Sequence, residues 1–321
     1  MNWGPRREGS SSLLILPALV PEGRIRRRLL RALPIALAGA LIATPAAHAG
    51  LLFPESGGSP NADSIHTLYV MVFILALFIF VGVEGALLWA LFRFKAKKGA
   101  AAAQIHGNTK LEVGWTVGAF LILIFITAFT FIQLPSIKNP KPSLIDENGN
   151  AIQAQVDGMQ VAATNQSTPK GPTMTIEVNG QQYVWRYLYP GQDQLLTYTD
   201  MVVPVGMTVL LDITADDVVH SWWIPKLGGK MDAVPGYTNK LWFRIPPDAI
   251  PEGQKQVVYT GQCAELCGRN HANMYGRVIG MKMADYKKWY ADKVQQVKTA
   301  ETDVAAQQKK LIEEQSQGDG E

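Results

Sequence analysis

Gly261-Gln262-Cys263-Ala264-Glu265-Leu266-Cys267-Gly268-Arg269-Asn270-His271-Ala272-Asn273-Met274 holds the only two cysteines of the chain, followed by a histidine and a methionine at short offsets. The spacing Cys-x3-Cys-x3-His-x2-Met places two thiolates, an imidazole and a thioether on one loop, a donor set suited to copper. A mononuclear blue-copper site uses a single cysteine with two histidines and a weak axial methionine. A second thiolate changes that arithmetic. Two bridging sulfurs let two copper ions share one site, with His271 capping one ion and another histidine required for the other. Two plainer readings compete. Paired cysteines in an exported domain commonly form a disulfide, which needs neither His271 nor Met274. A structural zinc site with two cysteines and two histidines is chemically legal and leaves Met274 without a role.

The second histidine is found by elimination among five. His48 falls in a leader-like segment, His66 near the outer end of an apolar run and His106 in a basic loop. His220 remains, in Asp217-Val218-Val219-His220-Ser221-Trp222-Trp223, after a strand-like run and before a Pro/Gly loop. Met274 is then the long axial ligand to one ion, and the backbone carbonyl of Glu265, between the cysteines, serves the other.

From Thr173 onward the chain reads as short β-type runs: 173–178, 183–189, 194–203, 207–214, 241–245, 256–260 and 277–283. Gly, Pro, Asn and Asp clusters separate them, the pattern of an all-β sandwich or Greek-key barrel spanning 173–284. Residues 285–321 turn helical and then polar, a solvated tail with partial disorder expected. Residues 135–172 are rich in Pro, Asn, Gln and Ser and read as a linker.

Upstream lie two apolar segments, 65–92 and 111–134, each at or above the roughly 20 residues that cross a bilayer. Arg93, Lys95, Lys97, Lys98 and Lys110 lie between them with no acidic residue, so the positive-inside rule puts this loop in the cytoplasm. The segments 50–64 and 135–321 then lie on the other side. Residues 1–49 run from a basic region through the apolar stretch 33–42 to Ala47-His48-Ala49, the pattern of a signal peptide cleaved after Ala49. A third membrane helix is the competing reading, weakened by Pro34 and Pro45. The formal charge of +3 carries +5 from seven arginines and two glutamates in 1–49, so the remainder stands at −2. No stretch interleaves basic residues with stacking aromatics, and nucleic-acid binding is excluded as a reading.

The cysteine loop, with Asp217-Val218-Val219-His220-Ser221-Trp222 and Lys230-Met231-Asp232-Ala233-Val234-Pro235-Gly236, resembles subunit II of the haem-copper cytochrome c oxidases over about residues 63 to 284. The resemblance implies two N-terminal transmembrane helices followed by an all-β cupredoxin-like Greek-key barrel, in a bacterial inner membrane with the barrel on the extracytoplasmic side. It implies a dinuclear copper centre (CuA) held by His220, Cys263, the Glu265 carbonyl, Cys267, His271 and Met274. It further implies a magnesium ion reached by the Glu265 carboxylate at the boundary with subunit I, subunit III as a further partner, and a c-type cytochrome as electron donor. The reaction implied is the reduction of oxygen to water with proton translocation, its oxygen chemistry in subunit I. Quinol-oxidase relatives lack the copper ligands, whereas this chain keeps all of them. No Cys-x-x-Cys-His occurs, so no haem c is expected in this chain. A nitrous oxide reductase also uses such a copper domain, but two membrane helices and no large catalytic domain argue against it. A copper-delivery protein would hold its metal exposed and reversibly.

Carboxylates at membrane depth are costly and carry a functional expectation. Glu112, in Leu111-Glu112-Val113-Gly114-Trp115-Thr116, matches the family segment whose glutamate stands at the cytoplasmic mouth of a proton pathway; a helix N-terminus favoured by the dipole is the plainer reading. Glu84 is expected to face a neighbouring subunit rather than lipid. Tyr183, Trp185, Tyr187 and Tyr189 alternate, so a strand places them on one face. In the family this strand carries a surface aromatic that receives the electron, usually a tryptophan where Tyr183 stands, and Trp185 is in register with it but expected to be buried. The interval Thr173 to Ala284 holds ten acidic and nine basic residues, so strong electrostatic steering of a donor is not expected.

Overall fold

The computed structural model describes residues 53–95, 99, 101, 104–152, 171–191 and 193–318. The leader-like segment 1–49, with its expected cleavage site, lies outside the described residues. Two long helices come first, α1 (Pro60–Arg93) and α2 (Thr109–Lys138). Both are apolar enough to cross a membrane, and at about 1.5 Å per residue each exceeds the roughly 30 Å hydrocarbon layer. They extend past the apolar runs at both ends. Asn108 caps α2 by accepting from the Leu111 N–H at 3.2 Å.

Ten strands follow: β1 (Thr173–Gln181), β2 (Val184–Leu188), β3 (Leu196–Tyr198), β4 (Asp200–Pro204), β5 (Thr208–Ala215), β6 (His220–Trp222), β7 (Met231–Ala233), β8 (Asn239–Phe243), β9 (Gln256–Gln262) and β10 (Tyr275–Met281). Helix α3 (Met283–Gly318) closes the described chain. One sheet has the order β3-β2-β1-β5-β8, a second β4-β10-β9, and β6 pairs with β7. The β1/β5 and β4/β10 pairs are parallel, so crossovers rather than simple hairpins link the sheets. The fold class expected from the sequence therefore stands: two membrane-length helices and an all-β cupredoxin-like domain.

Alternation decides which faces meet. Met174, Ile176, Val178 and Gly180 of β1 point inward, as do Trp185 and Tyr187 of β2, against Val209, Leu211 and Ile213 of β5 and Val278 of β10. Tyr189 continues that face and packs on Trp289 and Tyr290 of α3, so the first turns of α3 close the end of the core. The expected single run 194–203 is two strands, broken at Thr199, whose φ is +65°. Nor is 139–152 a free linker: Leu144 N–H donates to the Gly206 carbonyl, and Ser143 Oγ accepts from Thr208 N–H at 2.8 Å. The remainder, 153–170, lies outside the described residues. The tail expected to be partly disordered is helical to Gly318.

The N-terminal end of α1 and the C-terminal end of α2 are fastened to β8 and the residue after it. Asn61 Nδ2 donates to the Trp242 carbonyl, Arg244 N–H to Ser59 Oγ, and Trp242 Nε1 to the Ile137 carbonyl at 2.8 Å. These bonds tether the β-domain to those two helix ends.

Burial pushes the phenols of Tyr187, Tyr189 and Tyr286 above the usual tyrosine range. The folded state holds these protons more tightly than the unfolded chain, so stability is intact below about pH 10 and is lost as pH rises beyond it. Melting temperature followed from about pH 8 to 11 should fall steeply over the upper part of that range, and less steeply in Tyr286→Phe. A flat profile up to the top of the range would contradict this account.

Candidate metal centre

Strand β6 and the loop between β9 and β10 bring the predicted donors together. Strand β6 places His220 opposite Ala233 of β7, and the imidazole is fully buried. It fits because position 180 is glycine: a Cβ there would stand 2.9 Å from His220 Cδ2. The Trp185 ring packs edge-on against the imidazole, centroids 5.9 Å apart. After β9 the chain turns through the cysteine loop and returns as β10, and Cys263 N–H donates to the Met274 carbonyl at 2.8 Å. That bond closes the loop at its neck.

Cys263 and Cys267 are buried free thiols with their sulfurs 3.9 Å apart, too far for a disulfide bond. Each sulfur has its own imidazole: His220 Nδ1 is 3.9 Å from Cys263 Sγ, and His271 Nδ1 is 3.6 Å from Cys267 Sγ. Met274 Sδ lies 3.8 Å from Cys267 Sγ, and the Glu265 carbonyl oxygen 3.2 Å from Cys263 Sγ. All six predicted donors thus converge, and the donor atoms of His220, Cys263 and Cys267 lie within 4.8 Å of one another.

Asp217 was not among the residues singled out from the sequence. Its Oδ1 stands 2.8 Å from His220 Nε2, so the imidazole donates its Nε2–H there and turns the Nδ1 lone pair toward Cys263. Burial pulls the Asp217 carboxyl upward, but hydrogen bonds from His220 and from the Gln182 and Val218 N–H groups outweigh it and hold the group below its usual range. Burial, with the neighbouring Cys263 sulfur, pushes the Cys267 thiol up to about 11. Without a cation the Cys267 thiol keeps its proton at neutral pH, and a metal would displace it. The donor set fits a soft or borderline metal.

The remaining predicted residues fall elsewhere. Tyr183 lies in the β1–β2 turn rather than in a strand, half-buried, its hydroxyl 2.6 Å from where a Cβ on Gly268 would sit. Trp185 is only 1% exposed, so of the two aromatics Tyr183 alone reaches solvent. The Glu265 carboxylate is on an exposed residue. Glu112 Oε1 accepts from the Asn108 N–H at 3.3 Å at the start of α2, consistent with a helix-cap role. Glu84 is exposed on α1 and has no hydrogen-bond or ion-pair partner among the described residues.

Two family models match: the transmembrane domain of cytochrome c oxidase subunit II over residues 46–133 and its periplasmic domain over residues 191–280. Cytochrome c oxidase subunit 2 of Cereibacter sphaeroides is 31% identical over 282 residues, covering 74% of this chain and 80% of that one. The chain belongs to the cytochrome c oxidase subunit II family. Its counterpart in Alkalihalophilus pseudofirmus is 29% identical, covering 80% of this chain and 66% of that protein's length. The crystal structure of the periplasmic domain of subunit II of cytochrome oxidase from Bradyrhizobium japonicum is 29% identical, covering 40% of this chain and 94% of that one, at a TM-score of 0.34. As a subunit II of the haem-copper oxidases with two helices of spanning length, the chain is a membrane protein.

Proposed function

We propose that this subunit II receives single electrons from a c-type cytochrome and passes them to haem in subunit I, where oxygen is reduced to water with proton translocation. The observation that carries this reading is the paired geometry. Two unbonded sulfurs 3.9 Å apart each face a separate imidazole nitrogen, at 3.9 and 3.6 Å, as two metal ions sharing two thiolates require. His220, Cys263, the Glu265 carbonyl, Cys267, His271 and Met274 would hold two copper ions. When bound, such a pair supplies a one-electron acceptor and donor whose charge is spread over two metals and two sulfurs.

The protein's part is to keep the donors still and dry. Cys263, Cys267 and Met274 are all less than 5% exposed, and the backbone bonds at the neck of the loop limit their movement. Tyr183 is the aromatic through which an electron would reach the site from a docked donor, and Trp185 is a wall of the His220 pocket. The exposed Glu265 carboxylate is free to contribute to a magnesium site completed by subunit I. Glu112 would take up protons at the cytoplasmic end of α2, with the copper domain on the extracytoplasmic side of a bacterial inner membrane. Subunit III is a further expected neighbour.

Electron paramagnetic resonance of the copper-loaded full chain in detergent tests the reading. One unpaired electron shared equally by two copper nuclei gives a characteristic many-line hyperfine pattern, and that is the expected result. The simpler pattern of one nucleus, or a colourless protein that retains zinc or a disulfide, would overturn it.

A further inference from the structure

The two halves of the donor set are not fastened equally. The Cys263 and His220 half is tied by backbone bonds from Gln262 N–H to the Trp223 carbonyl at 3.1 Å, and from Ala264 N–H to the Ser221 carbonyl at 2.9 Å. The other half, residues 265–273, contains Cys267 and His271. Beside the Cys263 Sγ contact to the Glu265 carbonyl within the loop, it receives among the described residues one hydrogen bond from outside the loop, from Gln182 Nε2 to the Cys267 carbonyl at 2.6 Å. Gln182 also engages the first half. Its backbone N–H donates to Asp217 Oδ2 at 2.7 Å, and Asp217 Oδ1 accepts from His220. Gly268 makes this approach possible: its φ is +132°, and a Cβ there would stand 2.8 Å from Gln182 Nε2.

We infer that Gln182 is a positioning residue that sets the spacing of the two halves of the metal site: its main chain is anchored on the His220 side and its side-chain amide on Cys267. The inference rests on the copper reading above, but touches no metal ligand's side chain. Gln182 itself is solvent-exposed and contributes no core packing, so its loss should leave the fold intact. What it should change is how firmly the Cys267 half is held.

The design of the amide gives a clean comparison. Gln182→Glu keeps the shape and the backbone bond to Asp217 but replaces the donor with oxygen, which is repelled by the Cys267 carbonyl. Gln182→Lys restores a donor on a longer stem. The full chain is loaded with copper in detergent, and release to excess EDTA is followed by loss of colour, with the hyperfine pattern recorded in parallel. Gln182→Glu should lose copper about tenfold faster, the lower end of what loss of an outer contact costs a metal site, with unequal sharing of the electron between the two nuclei. Gln182→Lys should recover part of the retention, and all variants should melt alike without metal. Wild-type release rate and hyperfine pattern in Gln182→Glu would overturn the inference. A drop in metal-free melting equal to the loss of retention would also overturn it, by making Gln182 a general fold contact. If the wild-type chain itself shows no paired copper signal, the copper reading fails instead.

Discussion

Gly261→Ala should lower the stability of the metal-free domain by about 3 kcal/mol, the upper part of the range for overpacking, and abolish the paired copper signal. An added Cβ would fall 1.9 Å from the Trp223 carbonyl oxygen and 2.8 Å from Ile224 Cα. Both are backbone atoms, so no rotamer change relieves the clash. Strand β9 and residues 223–224 must separate, and the separation falls where Gln262 N–H and Ala264 N–H dock the His220 segment onto the cysteine segment. For a domain of this size the melting temperature should drop by roughly 10 °C or more. Gly229→Ala is the control: its nearest neighbour would be Ile65 Cδ1 at 3.6 Å, ordinary contact, and its effect should stay within about 0.5 kcal/mol. Wild-type melting and copper uptake in Gly261→Ala would show that β9 and residues 221–224 are not held as tightly as the structure has them.

That clash also shows what a sequence conceals. The chemistry of the site was legible because its donors are unusual residue types at tight spacing: Cys263, Cys267, His271 and Met274 lie within one loop, and His220 was left by elimination. The membrane helices were legible because an unbroken apolar run has few other uses. Strands β1, β2 and β5 followed from β-type runs bounded by turn clusters, with ends shifted by no more than three residues. Other features were not local. Strands β6 and β7 are three residues each, too short to show a period, yet β6 carries His220. The break at Thr199 is a backbone conformation that no composition signals. Asp217 and Gln182 are ordinary polar residues whose importance appears only when β1, β6 and the cysteine loop come together. An acidic residue three positions before a candidate histidine ligand was the one available hint, since metal-binding imidazoles commonly donate their second nitrogen to a carboxylate. The segment 139–152 misled for the opposite reason: its composition is that of a linker, and its bonds to Gly206 and Thr208 are tertiary.

The two cysteines are not equivalent, and Cys267→Ser should have the larger consequence of the two serine substitutions. Cys267 Sγ is the common neighbour of His271 Nδ1, Met274 Sδ and Cys263 Sγ, at 3.6, 3.8 and 3.9 Å. Cys263 Sγ has the His220 nitrogen and the Glu265 carbonyl on its side. Removing the sulfur at 267 therefore strands a histidine and a methionine at once, while His220 and Cys263 remain a competent pair for a single copper. The expected spectrum is that of one nucleus, with copper content halved and electron transfer from a reduced c-type cytochrome slowed by more than about a hundredfold, beyond what loss of an outer contact costs. The fold should survive, because a serine oxygen in place of this sulfur leaves the Cys263 to Met274 backbone bond and the Gln182 amide bond to the residue 267 carbonyl in place. A zinc or disulfide site predicts otherwise: Cys267→Ser would then abolish zinc binding or the cross-link, and no copper spectrum would change. Retention of the paired copper signal in Cys267→Ser would show that this sulfur is not shared, and the dinuclear reading would fall with it.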